Sequence, residues 1–393
     1  MTTMQTNIDL TGDSSKRPRV VVVGGSLGGL CASLALRCVN CDVEVFEKSP
    51  REMKERGAAL VVQMELLRFL EEHGIATKEA VSVPSQKRQY LARDGSVIWQ
   101  EASYQLMTSW DTVYRQLRDA FPDEHYHHGS KLTGFEQNET QVTARFENGR
   151  EERCNLLVGA DGANSTCRRQ LLPEVTPEYA GYVAWRGLVN EAEVAPSVAE
   201  LFANKFTFFQ APNTHILCYL IPGSAGELDK GKRRLNWVWY WNVPEGEPLR
   251  ELLTDKTGLF RDYSVPQGTI REDLVQCQMA IAAQILPEVF QHLFAATKEP
   301  FIQPIYDLSV PRMVFGRVCL IGDAAFVPRP HTAASTSKAA TNAIELAKWV
   351  GASKGDVVAA LKKWEPAQLE LGNYLKSLGM SLGNRSQFGS RFP

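Results

Sequence analysis

The sequence predicts an α/β protein that begins with a βαβ unit and carries a separate antiparallel sheet in the middle of the chain. Three observations support this prediction. Four valines at residues 20–23 precede a glycine-rich turn and a helical pattern. Residues 179–241 form long alternating segments rich in aromatic residues, which indicates antiparallel strands. Residues 317–323 again read as a buried strand, this time ending in Gly-Asp.

The first unit, residues 19–47, has the features of a dinucleotide-binding turn. Small residues let a pyrophosphate approach the backbone at a helix N-terminus, and an acid about twenty residues later can accept hydrogen bonds from a ribose. Ser26 stands where a second glycine is expected, and its hydroxyl can itself donate. A tight βα turn that binds nothing is the alternative. The predicted contacts from this unit are Gly24, Gly25, Ser26, Gly28, Gly29 and Glu47.

The next segments predict two hairpins and a helix. Asp94-Gly95 separates the two apolar runs of residues 86–100, and Asn148-Gly149 separates residues 142–146 from 154–158. Residues 112–121 are helical, with Val113, Leu117 and Ala120 on one side. The second hairpin leads directly into Gly159-Ala160-Asp161-Gly162.

The antiparallel sheet is predicted to contain the strands 182–189, 206–210, 215–221 and 235–243. Side chains alternate between the faces of a strand, so His215, Leu217 and Tyr219 share one face. Residues 266–297 become helical toward their end, and an alanine-rich helix at 333–350 follows the Gly322-Asp323 strand end. The last segment, 383–393, is expected to be loose.

Composition and charge exclude several classes of protein. The 393 residues are 44% hydrophobic, enough for a large core in one complex domain or two. With 43 basic and 45 acidic side chains, the net charge of -2 gives no electrostatic reason to expect nucleic acid or a membrane surface as partner. Residues 1–15 lack the apolar core of a signal peptide, so a cytoplasmic protein with a disordered leader is expected.

Cysteine and histidine clusters offer two weak metal-site alternatives. Cys38 and Cys41 form a C-x-x-C pair, but no second pair or nearby histidine completes four ligands, so we expect the pair to fill a helix-to-strand turn. His125, His127 and His128 open a segment that becomes a strand, where neighbouring side chains point to opposite faces. We therefore predict no metal.

Three separated motifs together resemble the single-component FAD-dependent aromatic hydroxylases of the para-hydroxybenzoate hydroxylase type. They are the glycine turn with Glu47, the GADGANSTCRR segment at 159–169, and RVCLIGDAAFVPRP at 317–330. The resemblance covers roughly residues 18–350. Residues 179–187 and 328–331 are most similar to members that hydroxylate dihydroxypyridine rings.

The resemblance implies a glutathione-reductase-like FAD-binding domain and a substrate domain whose antiparallel sheet covers the flavin. The implied FAD-binding domain is discontinuous and comprises residues 18–82, 108–178 and 300–382, with C-terminal helices. The substrate domain comprises 83–107 and 179–299. Residues 1–17 and 383–393 are then a leader and a tail.

Family members also imply roles for residues outside the first turn. Asp323 would accept hydrogen bonds from the ribityl chain, and the helix near Ala333 would direct N–H groups at the flavin. The further implied cofactor contacts are Arg115, Asp161, Gly322, Pro330 and Ala333. For Asp161, a turn acid that caps the following helix is the alternative. Two family glycines are absent, at Ala333 and Ser335, and Phe326 replaces a common histidine. These departures put close contact with the flavin ring in doubt.

The resemblance implies NAD(P)H- and O₂-dependent hydroxylation of a small hydroxylated aromatic or N-heteroaromatic ring through a C4a-hydroperoxyflavin. NADH or NADPH would bind transiently, without its own fingerprint, and a homodimer is common in the family. Activation of such a ring requires removal of a proton, for which His215, Tyr219 and His331 are the candidate catalytic residues. For His215 and Tyr219, an ordinary sheet residue is the alternative. Four other residues stay undecided between a substrate contact and an ordinary sheet position: Tyr182, Arg186, Asn236 and Tyr240. The alternatives are a monooxygenase for larger polycyclic natural products, a flavin-dependent reductase without oxygen insertion, and a non-catalytic FAD-binding scaffold.

Overall fold

The computed structural model describes residues 17–53 and 59–389, which form eighteen strands, eleven α-helices and short 3₁₀ turns. The strands are β1 (Arg19–Val23), β2 (Asp42–Phe46), β3 (Ala59–Val62), β4 (Val83–Leu91), β5 (Val97–Ser109), β6 (Tyr126–His127), β7 (Leu132–Gln137), β8 (Val142–Phe146), β9 (Glu151–Cys154), β10 (Leu156–Gly159), β11 (Glu178–Asn190), β12 (Lys205–Ala211), β13 (Thr214–Ile221), β14 (Arg234–Asn242), β15 (Phe301–Ser309), β16 (Val314–Phe315), β17 (Val318–Leu320) and β18 (Phe326–Val327).

The helices connect and cover three sheets. They are α1 (Leu27–Cys38), α2 (Met64–Glu72), α3 (Lys78–Val81), α4 (Trp110–Asp119), α5 (Thr166–Leu171), α6 (Pro196–Phe202), α7 (Glu247–Leu252), α8 (Glu272–Ile285), α9 (Glu288–Ala296), α10 (Ser335–Ala352) and α11 (Val357–Phe388). None of the helices in the described ranges combines the length and the apolar character that a membrane crossing requires.

The six-stranded sheet contains the predicted βαβ unit. Its order is β16-β17-β10-β1-β2-β6, and every neighbouring pair is parallel except β16 with β17. The valines of β1 are almost fully buried, as a continuous β-branched run in a parallel sheet predicts. Because parallel strands end at the same edge, the ends of β1, β10 and β17 bring the three glycine motifs together.

The nine-stranded sheet, ordered β18-β15-β11-β14-β13-β12-β4-β5-β3, contains the predicted aromatic strands. Its two faces belong to different hydrophobic clusters. Trp185, Trp237 and Trp239 pack on one side with the helices α8 and α9. Tyr182, Tyr219 and Tyr240 lie on the other side. The period-2 alternation of the sequence therefore separates a helix-covered core from a second, polar-edged face.

The structure differs from the sequence prediction at the second hairpin. Val142–Phe146 pairs across the Asn148-Gly149 turn with Glu151–Cys154 in a small three-stranded sheet. Residues 156–159 are instead a separate strand, β10, of the parallel sheet. A one-residue break at Asn155 lets the chain leave one sheet and enter the other, and its side chain accepts a hydrogen bond from the backbone of Arg19.

The C-terminal tail is also different from the prediction. Residues 383–388 are not loose, because α11 continues without a break to Phe388 and Gly389 ends it in the left-handed conformation. The predicted leader 1–17 lies outside the described residues except for Arg17. The predicted domain boundaries remain a prediction, although β15, assigned to the cofactor domain, pairs with β11 of the substrate domain.

Candidate active site

A cavity of about 1380 Å³ is lined by the glycine motifs, by one face of the nine-stranded sheet and by the end of α11. Sites for one drug-sized ligand are usually about 300–1,000 Å³. The cavity therefore has room for an extended dinucleotide together with a small second molecule. It contains side chains from both predicted domains.

The first glycine turn is shaped by close contacts that exclude side chains. Gly24 has φ +104°, and a Cβ there would lie 2.3 Å from the carbonyl oxygen of Ala160. A Cβ on Gly29 would meet the carbonyl oxygen of Gly24 at 1.8 Å, and one on Gly25 would meet the hydroxyl of Tyr126 at 2.0 Å. These glycines fix the approach of β1, α1 and the neighbouring loop.

Ser26 and Gly28 line the cavity at the start of α1. Ser26 is the N-cap residue, and its side chain does not cap the helix. Its hydroxyl and the first N–H groups of the helix thus remain available for an anion, as a dinucleotide pyrophosphate requires.

Glu47 is buried beside this turn rather than among the described lining residues. One carboxylate oxygen accepts a hydrogen bond from the N–H of Gly25 and the other from the N–H of Ser49, each at 2.8 Å. The carboxylate therefore holds the glycine turn in place. Its predicted ribose contact would have to use the remaining lone pairs and stays a prediction.

Asp161 caps a helix, as the alternative interpretation proposed. Its carboxylate accepts hydrogen bonds from the backbone N–H of Thr166 at 2.7 Å and of Cys167 at 3.2 Å. Its neighbours Ala160 and Gly162 line the cavity, whereas Asp161 is not among the described lining residues. The residue orders the motif, and its direct cofactor contact remains a prediction.

Arg168 joins the second and third motifs. Its buried guanidinium donates to the carbonyl of Ala324 at 3.1 Å and to the carbonyl of Ala163. Two loops that are far apart in sequence are thereby held against each other at the cavity wall.

Asp323 lines the cavity with a partly exposed carboxylate. Its Oδ1 atom accepts hydrogen bonds from Ser335 Oγ at 2.8 Å and from Lys338 Nζ at 3.0 Å. Lys338 is almost fully buried and also donates to the carbonyl of Phe326. Burial lowers the pKa of this ammonium, which the charge of Asp323 partly offsets. Lys338 gives no signal in the sequence, because a lysine in an alanine-rich helix usually lies on its solvated face.

The loop before α10 adopts the backbone that the missing glycines would favour. Ala333 has φ +53°, a left-handed conformation that is uncommon for alanine, and Gly322 has φ +61°. Pro330 and Ala333 line the cavity, and no side chain caps the N-terminus of α10 at Ala334. Alanine in place of the family glycine at position 333 therefore still adopts the left-handed turn before α10.

Phe326, in the place of a family histidine, has a packing partner in the C-terminal helix. A Cβ on Gly372 would lie 2.4 Å from the Phe326 ring. The ring therefore lies directly on the backbone of α11.

The three candidate catalytic residues all line the cavity. Nδ1 of His215 lies 3.0 Å from Ser386 Oγ, and Nε2 of His331 lies 3.0 Å from the hydroxyl of Tyr182. The two imidazole rings are 6.0 Å apart between centroids. His215 and Tyr219 share the cavity face of β13, as their alternation predicted.

Burial shifts the pKa values of these three side chains toward their neutral forms. It lowers the pKa of His215 to about 4 and the pKa of His331 well below the ordinary value. Burial also raises the pKa of Tyr219, which the positive charge of Arg186 partly offsets. At neutral pH both histidines are uncharged and able to accept a proton.

Arg115 is the predicted contact with the least structural support. Its Nη1 donates to the carbonyl of Ser224 at 3.0 Å, and it is not among the described lining residues. Trp110, at the start of the same helix, does line the cavity. The other residues that sequence reasoning missed include Ser386, which lies on the segment predicted to be loose.

The residues around the cavity fit FAD. The uncapped N-termini of α1 and α10 supply N–H groups, and Ser26 and Asp323 supply a donor and an acceptor along the same wall. A family model described as FAD binding domain-like matches residues 179–307.

Comparisons with known proteins agree with this geometry. The chain is 38% identical over 375 residues to 2,6-dihydroxypyridine 3-monooxygenase of Paenarthrobacter nicotinovorans, covering 95% of this chain and 93% of that protein. It is 27% identical over 365 residues to 6-hydroxynicotinate 3-monooxygenase of Pseudomonas fluorescens, covering 88% and 87%.

Solved structures share the fold. The structure of 2,6-dihydroxypyridine-3-hydroxylase from Arthrobacter nicotinovorans matches with a TM-score of 0.89 and 37% identity, over 95% of this chain and 94% of that chain. Klebsiella pneumoniae HpxO complexed with FAD and uric acid has the same fold, with a TM-score of 0.76 and 24% identity over 94% and 89% of the two chains.

Proposed function

Because this chain belongs to the family of FAD-dependent aromatic hydroxylases, we propose that it uses NAD(P)H and O₂ to hydroxylate a small, hydroxypyridine-like ring. Its similarity to these relatives over 95% of the chain shows that it is an FAD-dependent monooxygenase. The choice of ring and of the reductant, NADH or NADPH, is our proposal.

One observation carries the proposal: the residues that fit FAD and the face of the nine-stranded sheet that contains Tyr219 and Tyr240 line a single cavity. FAD, when bound, supplies hydride acceptance from the nicotinamide and activation of dioxygen. The protein has to orient an aromatic ring beside it, exclude water and remove the proton of a ring hydroxyl.

The proton-accepting role is best supported for the histidine pair. His215 is buried and His331 is half-buried, and their ring centroids are 6.0 Å apart. Desolvation lowers the pKa of both imidazoles, and Nε2 of His215 has no hydrogen-bond partner within the described chain. A hydroxyl of the substrate can provide that partner. Tyr219, on the same face, can orient the ring.

Three side chains from the end of α11, Leu382, Arg385 and Phe388, line the same cavity. We propose a small ring and not a polycyclic one because the relatives of 38% and 27% identity are named for 2,6-dihydroxypyridine and 6-hydroxynicotinate.

The test is substrate-dependent oxidation of NAD(P)H by the FAD-loaded enzyme, with a panel of hydroxypyridines and hydroxybenzoates. We expect oxygen consumption and a product whose mass is raised by one oxygen atom. Equal turnover without oxygen would instead support a reductase. Failure of NAD(P)H to bleach the flavin with every ligand would support a non-catalytic scaffold.

We further propose a cytoplasmic location and a homodimer. All eight cysteines are free and six are buried, as in a reducing compartment. The family resemblance supports the dimer. Cell fractionation and light scattering of the purified protein test these two proposals separately.

A further inference from the structure

Arg186 is a buried cation without a partner. Its side chain is on the cavity face of β11, and the residue is only 7% exposed. Within the described chain it makes no hydrogen bond or ion pair, and its Nε atom is both buried and unsatisfied. The other four buried arginines in the described ranges all donate to an oxygen atom. They are Arg118, Arg168, Arg234 and Arg329.

This arrangement is energetically unfavourable for the protein alone. Removal of a guanidinium from water is costly, and buried charges are therefore normally paired. Arginine cannot escape this cost by losing its proton, because a guanidinium stays protonated in proteins. A buried, unpaired guanidinium in a ligand cavity is complementary to an anion that arrives with the ligand.

The neighbouring atoms do not neutralise Arg186. Val238 is directly opposite it on β14, and Leu217 follows on β13. The nearby polar groups are the neutral hydroxyls of Tyr219 and Tyr240, whose pKa values are raised by burial. No carboxylate of the described chain pairs with Arg186.

His215 provides a second, independent unsatisfied group. It is 6% exposed, its Nδ1 atom is hydrogen-bonded to Ser386, and its Nε2 atom has no partner among residues 17–53 and 59–389. Arg186 and His215 are two strands and two residues apart on one face, which places their Cα atoms about 12 Å apart. Both unsatisfied groups therefore face the same cavity.

We propose that Arg186 binds an oxyanion of the substrate, so that the enzyme selects an anionic ring rather than a neutral one. The oxyanion is a deprotonated ring hydroxyl or a ring carboxylate, and His215 Nε2 contacts a polar group on the other side of the ring. The inference rests on the proposed function for the identity of the site. It adds the charge of the substrate and the residue that recognises it.

Three other arginines line the cavity: Arg329 is paired with Asp307, Arg385 is exposed, and Arg88 serves as the matched control. It is partly exposed and lies over the rings of Phe208 and Phe206, at 5.3 and 5.7 Å from their centroids. Its charge is thus already placed against aromatic faces. The guanidinium of Arg186 does not lie over the face of any aromatic ring of the described residues.

The experiment measures ligand binding to the FAD-loaded protein by calorimetry across pH. The probes are 2,6-dihydroxypyridine, 6-hydroxynicotinate and neutral 2,6-dimethoxypyridine. For 2,6-dihydroxypyridine we expect Kd to fall about tenfold per pH unit below the ligand's pKa and to level off above it, because only the anion binds. Tight binding by 6-hydroxynicotinate, but not by 2,6-dihydroxypyridine, would assign the subsite to a carboxylate. Equal affinity for neutral and anionic rings would overturn the inference.

Variants then test the residue. Arg186→Met is expected to raise Kd for the anionic ligand about 30-fold or more and to change Kd for the neutral ring less than threefold. Arg186→Lys should retain part of the affinity, and Arg88→Met should leave the preference for the anion intact. A loss of that preference in Arg88→Met, but not in Arg186→Met, would assign the subsite to Arg88 instead.

Stability provides a readout that does not require turnover. Arg186→Met should retain FAD and melt, without substrate, at the same or a higher temperature than the wild type, because an unpaired buried charge has been removed. Loss of FAD or a lower Tm would indicate a structural role and contradict the inference. Failure of the proposed function itself is distinct, since it would appear as absent substrate-dependent NAD(P)H oxidation in the wild type.

Discussion

His215 and Ser386 are hydrogen-bonded across 171 residues of sequence, with Nδ1 3.0 Å from Oγ. His215 lies on β13 of the nine-stranded sheet, and Ser386 lies in the last turn of α11. The bond occupies one nitrogen of the imidazole and leaves Nε2 for the cavity. The C-terminal helix thereby helps to define the orientation of a candidate catalytic residue.

Ser386→Ala should weaken substrate binding without loss of flavin. The variant removes one hydrogen bond, worth about 0.5–1.5 kcal/mol, and frees the imidazole to rotate. We expect KM to rise about 3- to 10-fold with a smaller change in kcat, measured by steady-state NAD(P)H oxidation. Ser386→Thr keeps the hydroxyl and should restore KM. Ser353→Ala, in a helix end away from the cavity, is the control, and an unchanged KM in Ser386→Ala would refute the positioning role.

Gly383→Ala should destabilise the protein, because the added methyl group crowds the contact between α11 and the residues it packs against. A Cβ there would lie 2.5 Å from the Tyr182 hydroxyl and 2.9 Å from Cδ of Arg329. Overpacking of this kind costs about 1–3 kcal/mol, so the free energy of unfolding should fall by that amount in urea titrations. Ser377→Ala, on the exposed side of the same helix, should change it by less than about 0.5 kcal/mol. Equal effects of the two variants would contradict close packing at Gly383.

Asp323→Ala should yield largely colourless protein, because it removes a carboxylate from the cofactor wall. It also deprives the buried Lys338 ammonium of its only carboxylate among the described contacts. Since Asp323 is partly exposed, we expect a loss of about 1–2 kcal/mol in the free energy of unfolding. Addition of Lys338→Met should restore stability but not flavin content. Normal flavin absorbance in Asp323→Ala would exclude the assigned role.

Acid should destabilise the protein through His215. Its folded pKa of about 4 is below the unfolded value of about 6.5, so the unfolded chain binds the proton first as the pH falls. The contribution is fully present above pH 6.5 and is lost progressively toward pH 4. Between pH 7.5 and pH 5 this amounts to about 2 kcal/mol. Urea titrations of the FAD-loaded protein should show a smaller pH dependence in His215→Asn, and an unchanged slope would argue against a neutral buried imidazole.

Much of the fold could be predicted because its signals are local. The valine run, the glycine turn and the helix that follows are fixed by short-range backbone preferences, and the structure has them as β1 and α1. Alternation likewise assigned His215 and Tyr219 to one face of β13 before any contact was known. The boundary error at residues 154–158 arose because two consecutive strands with a one-residue break read as one.

The site could be predicted only where a residue belongs to such a local pattern. Asp323 follows a strand and Ser26 begins a helix, and both line the cavity. Arg115 lies on a predicted helix, but which face meets the cavity depends on how that helix packs. Lys338 looked like an ordinary helical lysine, since burial is not visible in sequence.

The sequence by itself determined the βαβ beginning, the aromatic sheet and the set of residues available on its two faces, because backbone periodicity acts over a few neighbouring residues. Only the tertiary structure decided that α11 returns to the cavity, that Ser386 contacts His215, and that Arg186 has no counter-ion in the part of the chain that the structure describes. The physical reason is that pairing and burial depend on which distant segments pack together. That outcome is a property of the whole folded chain.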